Sequence, residues 1–201
     1  MLETLSRLIQ DTVSRETFEK LEVYRAEILR WNPVIKGVSR HDLDDLWQRH
    51  IFNCAAGWPV LKDEPKIVDL GTGAGFPGLV LAILGHPNVD LVESNKKKCQ
   101  FLQLMIKKLK APATLVNENF WSLAYDRKIA VTARAVTDLR DLLKIANTIC
   151  KSEFVCYFYK GLHIEDEISQ ASQDWHFTTS IMKNPSCQGS VILKMSKIQK
   201  K

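Results

Sequence analysis

Between Ser14 and Asn32 the apolar positions Phe18, Leu21, Ile28 and Trp31 return near helical spacing, and Asn32-Pro33 is a stop signal. A helix is expected over 14–32. A second helix is expected from Asp42, whose carboxylate can cap a first turn, with Asp45 three residues on. Leu43, Trp47, Ile51 and Cys54 then share one face, and Gly57-Trp58-Pro59 ends the segment. Beyond Glu64-Pro65 the pattern changes. The run 66–70 is short and apolar, as in a buried strand, and five residues of glycine-rich turn follow it. Helices are expected over 77–85, 95–110 and 138–150, the middle one with Phe101, Leu102, Met105 and Leu109 inward and its lysines outward. Further strands are expected over 88–93, 113–116, 129–132 and 154–159, and the segments 175–181 and 190–197 pair as a closing hairpin on the sheet edge.

Strands alternating with helices of this size imply right-handed crossovers and a mostly parallel, seven-stranded α/β sheet flanked by helices. Residues 1–62 are then an N-terminal helical extension on a core of 63–201, the whole forming a single compact unit. A chain of 201 residues buries roughly 70% of its unfolded surface, enough for one full core. No internal repeat or low-complexity linker interrupts it.

Composition narrows the classes. With 45% hydrophobic and 25% charged residues the chain is of ordinary globular type, not disordered or collagen-like. Its longest uncharged, mainly apolar run, 76–85, is half what a bilayer needs, so no membrane span is expected. The start lacks the basic-then-apolar order of a signal peptide, and the five cysteines form no C-x-x-C pair, so a reducing cytoplasm without a metal site is expected. The net charge of +5 is uneven: Lys96, Lys97, Lys98, Lys107, Lys108 and Lys110 fall in one stretch without an acid, and Lys194, Lys197, Lys200 and Lys201 gather in the tail. Such a face suits a polyanion, and it equally suits a solvated helix.

The chemistry is written in Asp69-Leu70-Gly71-Thr72-Gly73-Ala74-Gly75-Phe76-Pro77-Gly78. Glycines between a strand and a helix let a ligand approach the backbone, and the turn lies at the carboxyl end of the strand, where open α/β sheets bind ligands. Gly73, Gly75 and Gly78 also satisfy the dinucleotide fingerprint, so a nicotinamide oxidoreductase is one reading. An acid inside the strand end, Asp69, fits a cationic ligand better than a pyrophosphate. Glu93, at the next strand end, suits ribose hydroxyls under either reading.

Asp-x-Gly-x-Gly-x-Gly resembles the first motif of class I S-adenosylmethionine-dependent methyltransferases. With Trp47-x-Arg49-His50 upstream, the Gly-x-Pro-Gly extension, Thr132-Ala133-Arg134-Ala135 and Lys160-Gly161, nearly the whole chain resembles the RsmG (GidB) family. That resemblance implies a Rossmann-like fold and methyl transfer to N7 of one guanine, position 527, in the 530 loop of bacterial 16S ribosomal RNA. It implies S-adenosylmethionine contacts at Gly71 and Phe76, at Asn119-Phe120 and at Arg134, beside Asp69, Gly73 and Glu93. The family's Arg-hydrophobic-Glu is replaced here by Glu118-Asn119-Phe120-Trp121, and its frequent Asp-Ser by Asn53-Cys54.

Guanine N7 carries an in-plane lone pair, so its methylation needs orientation and no general base. The fourth strand agrees: it ends in Arg134, not in the Asn-Pro-Pro-aromatic string of methyltransferases that act on amino groups. Arg134 and Lys160 are the orienting candidates, Lys96, Lys97, Lys98 and Lys160 the RNA contacts, and His50 is read as a packed helix histidine. The expected partner is 16S rRNA, free or in a 30S particle, met by a monomer. Two other readings stay open: a methyltransferase for a small molecule or protein, and an RNA-binding protein with a vestigial cofactor turn.

Overall fold

The computed structural model describes residues 1–161 and 164–201. Five helical segments precede the first strand: α1 (Leu2–Ile9), α2 (Arg15–Ile35), α3 (Arg40–Leu43), α4 (Asn53–Ala55) and α5 (Trp58–Leu61), with a π-helical turn, Trp47–Phe52, leading into α4. Then come β1 (Ile67–Leu70), α6 (Gly78–Leu84), β2 (Val89–Val92), α7 (Lys96–Leu109), β3 (Ala113–Val116), β4 (Ile129–Arg134), α8 (Leu139–Ile149), β5 (Phe154–Gly161), α9 (Ile164–Ala171), β6 (Trp175–Lys183) and β7 (Ser190–Lys200). The strand order is β3-β2-β1-β4-β5-β7-β6. β1 to β5 run parallel and β7 pairs antiparallel with both β5 and β6. The winding reverses between β1 and β4, so a crevice opens at their carboxyl ends.

Alternation along the strands divides the core between the two sheet faces. Ile67, Leu91, Tyr157 and Tyr159 join Leu21, Tyr24, Ile28, Leu79 and Phe101 on one side. Val68, Leu70, Phe158 and Leu193 join Leu142, Leu143 and Ile149 on the other. Helices α1 to α5 therefore share a core with α6 and α7. No helix among the described residues is long and apolar enough to cross a membrane.

The N-terminal third departs most from the sequence pattern. Helix α2 runs through Pro33 to Ile35 because the Asn32 side chain ties down the segment beyond the helix end, bonding both the N–H and the C=O of Val38 at 2.9 Å. The next helix begins one turn early. Ser39 is its cap, accepting from the Asp42 N–H at 3.2 Å, which frees the Asp42 carboxylate for other partners. Gly57 does not end the helical run, since Pro59 sits in the first turn of α5, where its missing N–H costs nothing. Helices α1 and α9, and a 3-10 turn at Phe120–Ser122, carry no strong sequence signal; α1 has no capping side chain.

Candidate functional site

The turn between β1 and α6 is held in shape by its own backbone. Gly75 and Phe76 both donate N–H to the Thr72 carbonyl at 2.8 Å, and Gly71 and Gly73 take φ of 62° and 63°. A Cβ added at Gly73 would meet nothing nearer than the Gly71 carbonyl at 3.8 Å, so this position faces open space. At Gly78 the reverse holds: a Cβ would come within 2.8 Å of Asp69 and 2.5 Å of Leu91. Gly73 leaves room for a ligand, and Gly78 lets helix meet strand.

Asp69 is fully buried, and both its oxygens turn inward. Oδ2 accepts from the Gly78 N–H at 2.8 Å and Oδ1 from the Thr132 hydroxyl at 3.0 Å. Burial raises its pKa to about 6, against the lowering effect of these bonds and of Arg134. The acid expected beside a cationic ligand instead clamps the turn to α6 and β4. Glu93 reaches the turn from β2: Oε2 accepts from the Gly73 N–H at 3.1 Å and Oε1 from the Asn95 N–H at 2.8 Å. A carboxylate has about four acceptor sites, so capacity remains for hydroxyl donors. Phe120 comes in from beyond β3, its Cζ 3.6 Å from where a Gly71 Cβ would stand. Asn119 caps the short turn behind it, accepting from the Trp121 N–H at 3.2 Å.

The other wall of the crevice is built around Arg134. Its guanidinium lies over the Phe76 ring at 5.5 Å, donates to Cys54 Sγ at 3.3 Å and meets His50 Nδ1 at 2.6 Å. Ala135 next to it holds φ of 54°, in the left-handed region that favours glycine. Burial, then the neighbouring Arg134 charge, lowers the His50 pKa to about 4, and burial pushes the Cys54 thiol up to about 11. Both groups are therefore neutral at physiological pH. A cleft of about 290 Å³ opens past Arg134, lined by Asn53, Thr137, Tyr159, Lys160 and Gly161.

The crevice thus gathers Asp69, Gly71, Gly73, Phe76, Glu93, Phe120 and Arg134. Lys96, Lys97 and Lys98 stand just outside, in the first turn of α7, where with Lys36 they line a groove of about 490 Å³. Lys160 lines the cleft, but its ammonium is engaged inside the protein, donating to Glu167 at 2.7 Å and to the Thr137 carbonyl at 3.0 Å. An ammonium with two internal partners is poorly placed for the phosphate contact expected of it. Three contacts lie beyond sequence reading. Tyr24 donates its hydroxyl to the Ala74 carbonyl at 2.6 Å, Thr132 serves Asp69, and Asp42 faces His50 Nε2 at 3.5 Å. Their partners are remote in the chain or off any helical spacing, so no local signal marks them.

The profile of the GidB family, described as rRNA small subunit methyltransferase G, matches residues 17–192. Ribosomal RNA small subunit methyltransferase G of Rhodospirillum centenum is 38% identical over 187 residues, covering 92% of this chain and 87% of that relative. The protein of the same description from Paramagnetospirillum magneticum is 36% identical over 194 residues, covering 96% and 95%. Among solved structures, TYW2 of M. jannaschii in complex with AdoMet aligns with a TM-score of 0.51 at 12% identity, over 82% of this chain and 78% of its own. A SAM-dependent O-methyltransferase of Thermotoga maritima aligns with a TM-score of 0.50 at 12% identity, over 71% and 62%. Likeness at such identities shows the shared Rossmann-like fold.

Proposed function

The chain belongs to the rRNA small subunit methyltransferase G (GidB) family, and from that membership we propose that it methylates N7 of a guanine in 16S rRNA with S-adenosylmethionine as donor. The finer reading is position 527 in the 530 loop, met by a monomer in the cytoplasm, on free RNA or a 30S particle. The observation that carries the reading is the open side of Gly73, whose N–H is held by Glu93 while Phe120 stands against the neighbouring Gly71: a cradle that a Gly73 Cβ would enter. The donor chemistry fits the cofactor's parts. Glu93 offers acceptor sites for ribose hydroxyls, Phe120 an apolar edge for the adenine, and Arg134 a planar fork for a carboxylate. When bound, S-adenosylmethionine supplies a methyl group on a sulfonium, an electrophile that needs no metal.

The protein's own residues then have only to bind and orient. Guanine N7 attacks with a lone pair it already has, so no residue must remove a proton first. The crevice agrees with this: neutral His50 is engaged by Arg134, and the Cys54 thiol is buried and protonated. Gly71, Gly73 and Phe76 shape the cofactor side with Asp69 bracing the turn, Asn119 sets Phe120 against it, and Arg134 holds ligands at the end of β4. Lys96, Lys97 and Lys98 meet the RNA backbone beside the crevice.

The deciding experiment is methyl transfer from labelled S-adenosylmethionine to 16S rRNA taken from cells that lack this modification. Label in 7-methylguanosine at a single site is expected. Label in another nucleoside, or none on either free RNA or 30S particles, would overturn the assignment.

A further inference from the structure

His50 lies in the π-helical turn Trp47–Phe52, a widened turn that re-aims the side chains it carries and recurs at functional sites. Its Nδ1 stands 2.6 Å from an Arg134 amino nitrogen. Arginine has donors only, so this ring nitrogen must accept, and the proton of the neutral ring then sits on Nε2. Nε2 faces Asp42 Oδ2 at 3.5 Å, and the ring packs on Phe76 at 4.9 Å. Asp42 is fixed in turn by the Ser39 hydroxyl at 2.8 Å and by Arg49. A chain of contacts thus runs from α3 through the π turn to the end of β4. Its last link, His50 to Arg134, joins residues 84 apart in the chain.

We propose that His50 is a positioning residue for methyl transfer, its unprotonated Nδ1 holding the Arg134 fork so that the donors left over face the crevice. Of the five guanidinium N–H groups, one goes to His50 and one to Cys54, which leaves three for ligands. The proposal rests on reading this crevice as the methyl-transfer site. His50 does not touch the reacting atoms; it acts through Arg134.

The groups around the ring decide its state. Arg134 faces it from β4, Asp42 from α3, Arg49 from its own turn and Phe76 from the glycine turn. Burial and the two cations outweigh the one carboxylate, which keeps the ring neutral down to about 4. Protonation would put a hydrogen on Nδ1 and set two cations face to face. Arg134 would then have to swing away, and turnover would fall on the acid side.

Two variants separate an acceptor from mere bulk. His50→Gln keeps an oxygen that can accept from Arg134, whereas His50→Leu fills the space without one. Losing the partner of a charge-assisted hydrogen bond corresponds to about tenfold to a hundredfold in rate. His50→Leu should lose that much in kcat/KM, while His50→Gln should stay within about threefold and lose the acid limb. Nitrogen NMR of the wild-type ring at neutral pH should show the neutral form protonated on Nε2, and Arg134→Met should raise its pKa. An imidazolium or an Nδ1-protonated ring at neutral pH, or a ring pKa indifferent to Arg134, would overturn the proposal. So would equal activity of folded His50→Gln and His50→Leu. The NMR readout needs no RNA, so inactivity of the wild-type protein on 16S rRNA would count against the reaction and not against the His50–Arg134 contact.

Discussion

Asp69 illustrates how one residue can set both the shape of the site and the response of the fold to pH. Its carboxyl has no exposed surface, and burial raises its pKa from 3.8 to about 6. The native state therefore holds this proton more tightly than the unfolded chain does. Stability from the group is complete below its ordinary pKa and is lost as pH rises through about 6. In Asp69→Asn the amide oxygen can still accept from Gly78 and the amide nitrogen can meet Thr132, with no proton to lose. The stability of the variant relative to wild type should thus grow between about pH 4 and 7, by on the order of 2–3 kcal/mol. Urea unfolding of both proteins across that range checks it; a difference that stays constant would remove the linkage. Gly73 and Gly78 make a second test at this scale. Gly73→Ala adds a methyl in open space at φ of 63°, for about 1–2 kcal/mol of left-handed strain, and should lose most S-adenosylmethionine affinity with the fold intact. Gly78→Ala drives the methyl into Asp69 and Leu91 and should cost folding first. Calorimetric titration beside thermal melts distinguishes the two. Unchanged affinity in folded Gly73→Ala would remove the cofactor from this turn.

At the scale of elements, α7 carries a conflict that points to function. Its first turn holds Lys96, Lys97 and Lys98, at the end of the helix where the macrodipole is positive and acids are favoured. Asn95 offsets part of this by accepting from the N–H groups of Lys97 and Lys98 at 3.0 and 3.2 Å. Replacing all three lysines with Gln should leave the protein as stable or more so, yet flatten the salt dependence of RNA binding. If each lysine meets a phosphate of single-stranded RNA, the logarithmic slope should fall by about 2. An unchanged slope would move the RNA surface elsewhere. The same helix was legible in the sequence, since Phe101, Leu102, Met105 and Leu109 recur at helical spacing and all are buried. The strands were legible for an equally local reason: buried parallel strands such as Ile67–Leu70 and Val89–Val92 are short apolar runs between turn signals. The stretch 39–61 was not, because Ser39 and Asp42 compete for one cap and a π-helical turn breaks the ordinary helical spacing. Ser39 took the cap position expected of Asp42, and Asp42 turned to Arg49 and His50. Site residues divide the same way. Gly73 and Glu93 could be read from strand ends, whereas the Lys160–Glu167 pair and the inward turn of Asp69 required the folded chain.

For the molecule as a whole, the N-terminal helices grip the glycine turn from behind. Tyr24 of α2 donates to the Ala74 carbonyl in the glycine turn, and Gly37 packs so closely that a Cβ there would stand 2.7 Å from the Ala74 Cβ. Glu27 of α2 pairs with Lys108 of α7 at 2.6 Å, and the Tyr159 hydroxyl of β5 donates to the Cys54 carbonyl at 2.9 Å. A turn gripped from behind in this way should exchange binding energy with its support, and linkage requires the coupling to run in both directions. Tyr24→Phe removes one buried hydroxyl and leaves the Ala74 carbonyl without that donor, a loss of about 1–3 kcal/mol. The glycine turn should loosen, and S-adenosylmethionine affinity should fall severalfold although Tyr24 is not among the residues assigned to the ligand. In the opposite direction, adding S-adenosylmethionine to the wild-type protein should slow amide hydrogen exchange in α2 and α3, not only in the turn. The effect should be smaller in Tyr24→Phe, where the connection is cut. Exchange rates in residues 15–43 that ignore the cofactor, together with wild-type affinity in the folded variant, would show the extension to be a passive cover over the sheet.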